Sequence, residues 1–339
     1  MKVVHLLPAL EQGGVESVVC GLVRAIGGCE SVVISKGGRL VGRVEAAGGR
    51  HIALDLKSKN PLTYFTRAWK LRRILRAERP DLVCAHSRVP AWLFVWANRG
   101  LGLRWITYAH GANSVSRYSA VMTRGDLVVT PSRFLADYLK ANYGTPAAKI
   151  RVIPNAVDTA RFDPANLDLD FVDEKRREWG IREGDRVTMA IGRITPVKGL
   201  ENLIRSHVDG KLVIVGGADK HHLKYLESLK KLANDARQKT KDVIFAGSQE
   251  KIPECISIAD EIVSANVTKP ESFGLSVLEA YAMNKPVRVL RKFGGVAEVM
   301  EDVEKAGCAS FREAVLWLYG FGRWTKRTLS VYRELVNMV

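Results

Sequence analysis

The stretch KPESFGLSVLEAYAMNKPV, residues 269–287, sets two carboxylates, Glu271 and Glu279, eight positions apart. The preceding EIVSANV reads as a strand and SFGLSVLEAYAM as a helix. Glu271 then lies in the loop at the strand's carboxyl end. Ser272 or a neighbour is expected to cap the helix, whose first unpaired N–H groups are suited to phosphate. Gly274 would let a ligand approach the backbone closely. Glu279 falls about two turns into the helix, where it could reach a ligand lying along it, such as a ribose with two hydroxyls. The same spacing also suits a helix cap followed by a solvent-facing Glu, so the pair alone does not decide the matter.

Cations in a second stretch do more. AIGRITPVKGLENLI places Arg193 just after a strand and Lys198 at a helix start. Two cations beside helix N-termini suit a diphosphate whose charge grows as it leaves. GGADK, opening with Gly216 and Gly217, follows the next strand and offers close backbone approach to a base or ribose. LEQGGVE puts Gly13 and Gly14 between the first strand and the first helix. This is not the GxGxxG dinucleotide fingerprint, which disfavours a nicotinamide enzyme. It is a shorter turn that could admit a diphosphate or an acceptor. No acidic metal-binding cluster accompanies these residues, so no metal is expected and the cations would take its place.

The elements that must position these residues alternate along the chain. β-Branched runs (KVVHLL, SVVIS, HIALDL, DLVCAHS, RWITYAH, DLVVTPS) are interleaved with helical patterns, among them VESVVCGLVRAI and TYFTRAWKLRRILRAER. That is βαβ alternation, hence a parallel sheet with helices on both faces. Periodicity is lost in RVIPNAVDTARFDPANLDLD, which reads as a linker. A second alternation follows: VTMAIGR, KGLENLIRSH, KLVIVGG, KYLESLKKLANDARQK, DVIFAGS, IPECISIAD, EIVSANV and PVRVL, with the helix of the opening stretch between the last two. The 339 residues suffice for two cores. The expected fold is α/β, two Rossmann-like doubly wound domains facing a central cleft, where ligands meet the carboxyl ends of the strands. The expected domains are 1–157 and 158–321, with a last helix over 322–339 packing back on the first.

At this point a family resemblance can be stated. GGVE, PNAVDTARFDP, GRITPVKGLENLI, VIVGG and KPESFGLSVLEAYAMNKPV, in this order over nearly the whole chain, resemble the retaining glycosyltransferases of family 4, which have the GT-B fold. Glu271 and Glu279 match that family's E-x7-E motif. LPALEQGGVES, AGGRHIALDLKSKNP, AHSRVPAW and HGANSVSRYSAVMTRGD further resemble a bacterial subgroup acting on lipopolysaccharide core. The resemblance implies roles. Arg193 and Lys198 would hold the donor diphosphate, and Glu271 would contact the donor sugar near the reacting carbon. The backbone of Phe273, Gly274 and Leu275 would meet sugar and phosphate, with Gly216 and Gly217 also on the donor side. Glu279 would bind the ribose, Gly14 would lie near the donor phosphates, and His110 would sit by the donor sugar and acceptor. Gly13 would lie on the acceptor side. Glu16, a first-turn helix charge, could also face the acceptor. The donor would be a GDP- or UDP-linked hexose, used as substrate with no cofactor. The acceptor would be a glycan or lipid-linked glycan.

Charge bears on partners. Residues 1–157 carry 23 Lys and Arg against 9 Asp and Glu; residues 158–339 carry 29 against 27. An excess on one half points to an anionic partner there, whether a membrane surface, a nucleic acid or an acidic substrate. A solubilising surface is the plain alternative. Nucleic acid is not expected, because no RNA or DNA motif is present and both glutamates would go unexplained. A non-catalytic nucleotide-sugar-binding protein is the other alternative; the intact Glu271, Arg193 and Lys198 weigh against it. Five scattered cysteines without a CxxC pair suit a reduced, cytoplasmic protein without structural zinc. The N-terminus reads as a strand, not a signal peptide. No apolar run is long enough for a transmembrane helix. Association with the inner face of the cytoplasmic membrane would therefore be peripheral.

Overall fold

A computed structural model of the chain describes residues 1–11, 13–236 and 242–337. The chain divides into two compact units: Met1–Ala156 with Phe321–Val339, and Val157–Gly320. Each is built from parallel strands flanked by helices.

In the first unit, β1 (Lys2–Leu6), α1 (Gly14–Ala25), β2 (Glu30–Ser35), α2 (Val41–Ala46), β3 (Arg50–Ala53), α3 (Tyr64–Glu78), β4 (Leu82–Ala85) and α4 (Arg88–Ala97) follow one another. β5 (Trp105–Tyr108), β6 (Leu127–Thr130), α5 (Arg133–Tyr143) and β7 (Ile150–Val152) complete the sheet. Its order is β3-β2-β1-β4-β5-β6-β7, all parallel. The strands are rich in β-branched and apolar residues because helices cover both faces. Val4, Leu6, Val32, Ile34, Val83 and Ala85 pack with Leu71 and Leu75 of α3 and Phe94 of α4. Val33 packs instead with Val19 and Val23 of α1.

The second unit contains α6 (Leu169–Glu178), β8 (Val187–Ile191), α7 (Leu200–Ser206), β9 (Lys211–Val215), α8 (Leu223–Ala236), β10 (Val243–Gly247), α9 (Ile252–Ile258) and β11 (Glu261–Ser264). α10 (Leu275–Ala282), β12 (Val287–Val289), α11 (Gly295–Lys305) and α12 (Phe311–Tyr319) follow. The parallel sheet runs β10-β9-β8-β11-β12. A last helix, α13 (Phe321–Val336), belongs to the first unit. Its Trp324 ring lies 3.1 Å from where a Cβ on Gly21 of α1 would stand, so the absent side chain makes its seat. Tyr332 is fully buried; its hydroxyl is 2.8 Å from that of Tyr108 and 3.5 Å from Cys84 Sγ. Arg151 clasps Glu334 through two hydrogen bonds.

Several expectations need correction. The stretch read as a linker begins with a strand: β7 pairs with β6 and is too short to show periodicity. α6 begins at the end of that stretch and fully buries no residue; only Phe171 and Val172 rest half-buried against the core, too few to mark a helical period; the Asp168 side chain caps it by accepting from Phe171 N–H. α2, six residues long, was also not evident. The strand expected over HIALDL stops at Ala53, because Asp55 turns the chain by accepting from the N–H groups of Lys57 and Ser58. The helix expected over 224–239 is described to Ala236, and residues 237–239 lie outside the described residues, as do 338–339 of the last helix. All five cysteines are free. No helix among the described residues is long and apolar enough to cross a membrane.

Candidate functional site

Glu271 enters from the loop after β11. Asn266, itself buried, ties that loop: its Nδ2 donates to Lys269 O at 2.5 Å, and its Oδ1 accepts from the N–H groups of Thr268 and Lys269, both at 3.2 Å. From the other side, Gly295 N–H donates to Glu271 O at 2.8 Å. With its carbonyl held by Gly295, Glu271 receives Lys198 Nζ on its Oε1 at 2.5 Å. Lys198 comes from the turn before α7. Its side chain is 32% exposed and that of Glu271 16%, so the pair is reachable by a ligand. Such a partly exposed pair contributes on the order of 1 kcal/mol or less to stability; its consequence is the aim of both groups. Arg193, from the end of β8, is exposed and makes no side-chain hydrogen bond or ion pair among the described residues. It does not join the Lys198–Glu271 pair.

α10 begins later than the sequence suggests. Its N-cap is Gly274, at φ 90°, two residues beyond the Ser272 that the sequence offered. A Cβ on Gly274 would meet Val296 Cγ2 at 2.6 Å, so the glycine allows both the left-handed turn and close packing. The N–H groups of Val277 and Leu278 turn back to Gly274 O, both at 3.1 Å, and the helix dipole favours an anion at this end. Leu275 opens the helix and is half-buried. Phe273 is buried, edge-on to Tyr319, with ring centroids 5.8 Å apart, so its contact with a ligand falls to its backbone.

Glu279 lies in the second turn of α10 rather than two turns deep. Burial raises its carboxyl to about 7, partly opposed by the positive charge of Arg161. Arg161 belongs to the TARFDP run. That run is braced by Arg312, whose guanidinium donates to the carbonyls of Phe162, Ala282 and Thr159 and pairs with Asp163 at 2.9 Å. Asn266, Arg161 and Arg312 were not singled out from sequence. Their partners are backbone atoms or distant in the chain, and only the Pro-Asp cluster around Arg161 hinted at built structure.

Gly216 has a structural reason that the sequence did not show. A Cβ there would stand 1.9 Å from Gly192 O, so no other residue fits where β8 and β9 end side by side. Gly217 O accepts from Ile194 N–H at 2.9 Å, and a Cβ on Gly217 would meet Ser248 Oγ at 2.5 Å.

In the first unit, Gly13 is the N-cap of α1 and Gly14 its exposed first residue. Glu16 folds back over Gly13: a Cβ there would lie 2.4 Å from Glu16 Oε2. Glu16 therefore acts at its own helix start. His110 follows β5 and is partly accessible. Its Nε2 lies 3.0 Å from His86 Nδ1, and His86 Nε2 lies 3.1 Å from His5 Nδ1. Burial lowers His5 and His110 to about 4, and His86 well below its ordinary value. Among the described residues no group of three or more His, Cys, Asp or Glu is gathered to hold a metal ion.

Two family models match the chain: Glycosyltransferase Family 4 over residues 12–161 and Glycosyl transferases group 1 over residues 171–313. A lipopolysaccharide 1,2-N-acetylglucosaminetransferase of Salmonella typhimurium is 26% identical over 259 residues, 72% of this chain and 63% of that protein. The crystal structure of a glycosyltransferase from Rickettsia africae superposes with a TM-score of 0.84 at 26% identity, covering 100% of this chain and 99% of that one. The Anabaena protein HepE, solved in complex with UDP and glucose, shares the fold with a TM-score of 0.82 at 17% identity, covering 99% and 100%. The chain spans about half the length of the curated relatives it matches. With one family model matched to each half, over residues 12–161 and 171–313, the chain belongs to the GT-B glycosyltransferases that join a Glycosyltransferase Family 4 domain to a glycosyl transferases group 1 domain.

Proposed function

We propose that the protein moves a hexose from a nucleoside diphosphate sugar, GDP- or UDP-linked, to a lipopolysaccharide-core or related cell-envelope glycan, with retention of anomeric configuration. The observation that carries this reading is the Lys198–Glu271 pair, with Glu271 in the loop that leads into the glycine-started helix α10 and Arg193 unengaged nearby in sequence. A diphosphate brings negative charge that Lys198, Arg193 and helix N–H groups can receive, and that charge grows in the transition state. The acceptor hydroxyl attacks from the face the diphosphate leaves. Its oxygen bonds to the anomeric carbon as the carbon–oxygen bond to phosphate breaks, and a phosphate oxygen takes the proton. Glu271 holds the sugar hydroxyls through this step, and Glu279 holds the ribose. The likeness to the Salmonella enzyme supports the acceptor class, and the UDP and glucose bound by HepE support the donor class.

Two experiments test this. A panel of nucleotide sugars is screened for thermal stabilisation; a donor at 100 times its dissociation constant adds about 2.7 kcal/mol. The donor that stabilises is then supplied radiolabelled with an envelope-lipid extract, and label should enter the lipid fraction. Because protein cations neutralise the leaving group in this reading, EDTA should leave the transfer largely intact. Loss of transfer restored by Mg²⁺ or Mn²⁺ would contradict that part.

A further inference from the structure

Three histidines from three adjacent strands form a line in the first unit. His5 is on β1, His86 follows β4 and His110 follows β5. Ring centroids are 5.3 Å apart in both pairs, with interplanar angles of 31° and 18°. That is as far as two imidazoles reach when joined nitrogen to nitrogen, so the contacts run edge to edge, not face to face. Tyr108 lies over His86 at 4.7 Å and over His110 at 5.9 Å, and its hydroxyl is anchored to Tyr332. The line is held from the side.

Each nitrogen–nitrogen contact needs one proton. A neutral His86 has one to give, so it must accept at one nitrogen and donate at the other. The line therefore has two possible directions. In the inward one, His110 donates to His86, His86 donates to His5, and the spare proton sits on His5 Nε2. In the outward one, His5 Nδ1–H donates to His86 Nε2, His86 Nδ1–H donates to His110 Nε2, and the spare proton sits on His110 Nδ1. The structure separates them. His5 Nε2 is fully buried and has no hydrogen-bond partner among the described residues. A buried orphan N–H is a costlier defect than a buried bare acceptor, whereas His110 is partly accessible. Burial keeps all three rings neutral near pH 7.

We infer that His5 and His86 are positioning residues that hold His110 as one neutral tautomer, protonated on Nδ1, so that its ring offers a hydrogen-bond donor to a ligand oxygen. The identity of that oxygen as one on the transferred sugar rests on the function proposed above; the tautomer does not.

The test is a long-range ¹H–¹⁵N correlation on full-length protein labelled in histidine, at pH 7, with rings assigned by single substitutions. The expected result is one His110 tautomer with Nδ1 protonated and Nε2 bare. His5→Leu should leave His110 divided between both tautomers. His5→Asn, whose amide N–H stands where Nδ1–H stood, should restore the single form. In the transfer assay His5→Leu should lower kcat about fivefold, the worth of one hydrogen bond, with donor affinity unchanged. A wild-type His110 protonated on Nε2, or on both nitrogens, would overturn the inference whatever the activity. So would an unaltered His110 in His5→Leu. Absence of any transfer in the wild type, with the Nδ1 tautomer present, would count against the proposed function and leave the tautomer standing.

Discussion

Glu279 joins a stability effect to its proposed contact with the ribose in one carboxyl. Its pKa rises from 4.5 to about 7 through burial. Below 4.5 the folded and unfolded chains both hold the proton. Between 4.5 and about 7 the unfolded chain releases it while the folded chain keeps it, so stability falls as pH rises through that window. Glu279→Gln, which cannot ionise, should match the wild type in melting temperature at pH 4.5 and exceed it at pH 8; equal melting temperatures at both pH values would show that burial does not strain this carboxyl. The same variant should raise the donor KM with little effect on kcat, since ribose contacts serve ground and transition states alike. Glu271, Arg193 and Lys198 were legible in the sequence because each sits at a strand end or helix start, and Glu279 because of its eight-residue spacing from Glu271. The histidine line was not legible. His5, His86 and His110 lie far apart in the chain, and only strand order brings them together.

Alternating β-branched and helical runs made most elements legible, since a strand buried on both faces and an amphipathic helix leave different periods. α6 and β7 escaped for different reasons, one resting only two half-buried residues on the core and the other being only three residues long. The start of α10 was placed too early because Ser272 looks like a cap, whereas the left-handed turn at Gly274 ends the loop. Two elements carry predictions. Gly216→Ala sets a Cβ against Gly192 O, where backbone meets backbone, and should cost roughly 2–4 kcal/mol in a urea melt. A cost within 0.5 kcal/mol would mean the ends of β8 and β9 part readily. Trp324→Ala empties the seat at Gly21 and should cost about 3–5 kcal/mol. If it does not, α13 is a loosely held appendage of the first unit.

Charge on the whole molecule has a specific surface expression. On α3 and just before it, Leu62, Phe65 and Trp69 are 87%, 61% and 56% exposed, and Arg73 lies 5.0 Å from the centroid of the Trp69 ring. The helix carries Arg67, Arg72, Arg73 and Arg76. The structure divides them: Arg67 is buried and holds the carbonyls of Asp55, Ser58 and Asn60, and Arg72 binds those of Ala97 and Arg99. Arg73 and Arg76 are the ones to reverse. We propose peripheral, salt-sensitive binding to anionic vesicles, with about 1 kcal/mol per basic residue near the surface. Arg73→Glu with Arg76→Glu should weaken sedimentation with vesicles at low salt and leave donor affinity unchanged. A wild type that stays in the supernatant at low salt would assign the charge to a soluble partner or to solubility. The measurement that bears most directly on the molecule's proposed activity is a paired one on Glu271→Gln: turnover with the stabilising nucleotide sugar, and calorimetric affinity for the nucleoside diphosphate alone. Glu271 faces the sugar in this reading, and its carbonyl is held by Gly295 N–H whatever its side chain. Turnover should therefore fall by a hundredfold or more, about 2.7 kcal/mol of transition-state stabilisation, while nucleotide affinity changes less than threefold. Near-normal turnover, or a loss of nucleotide binding equal to the loss of turnover, would contradict a catalytic role for the Lys198–Glu271 site.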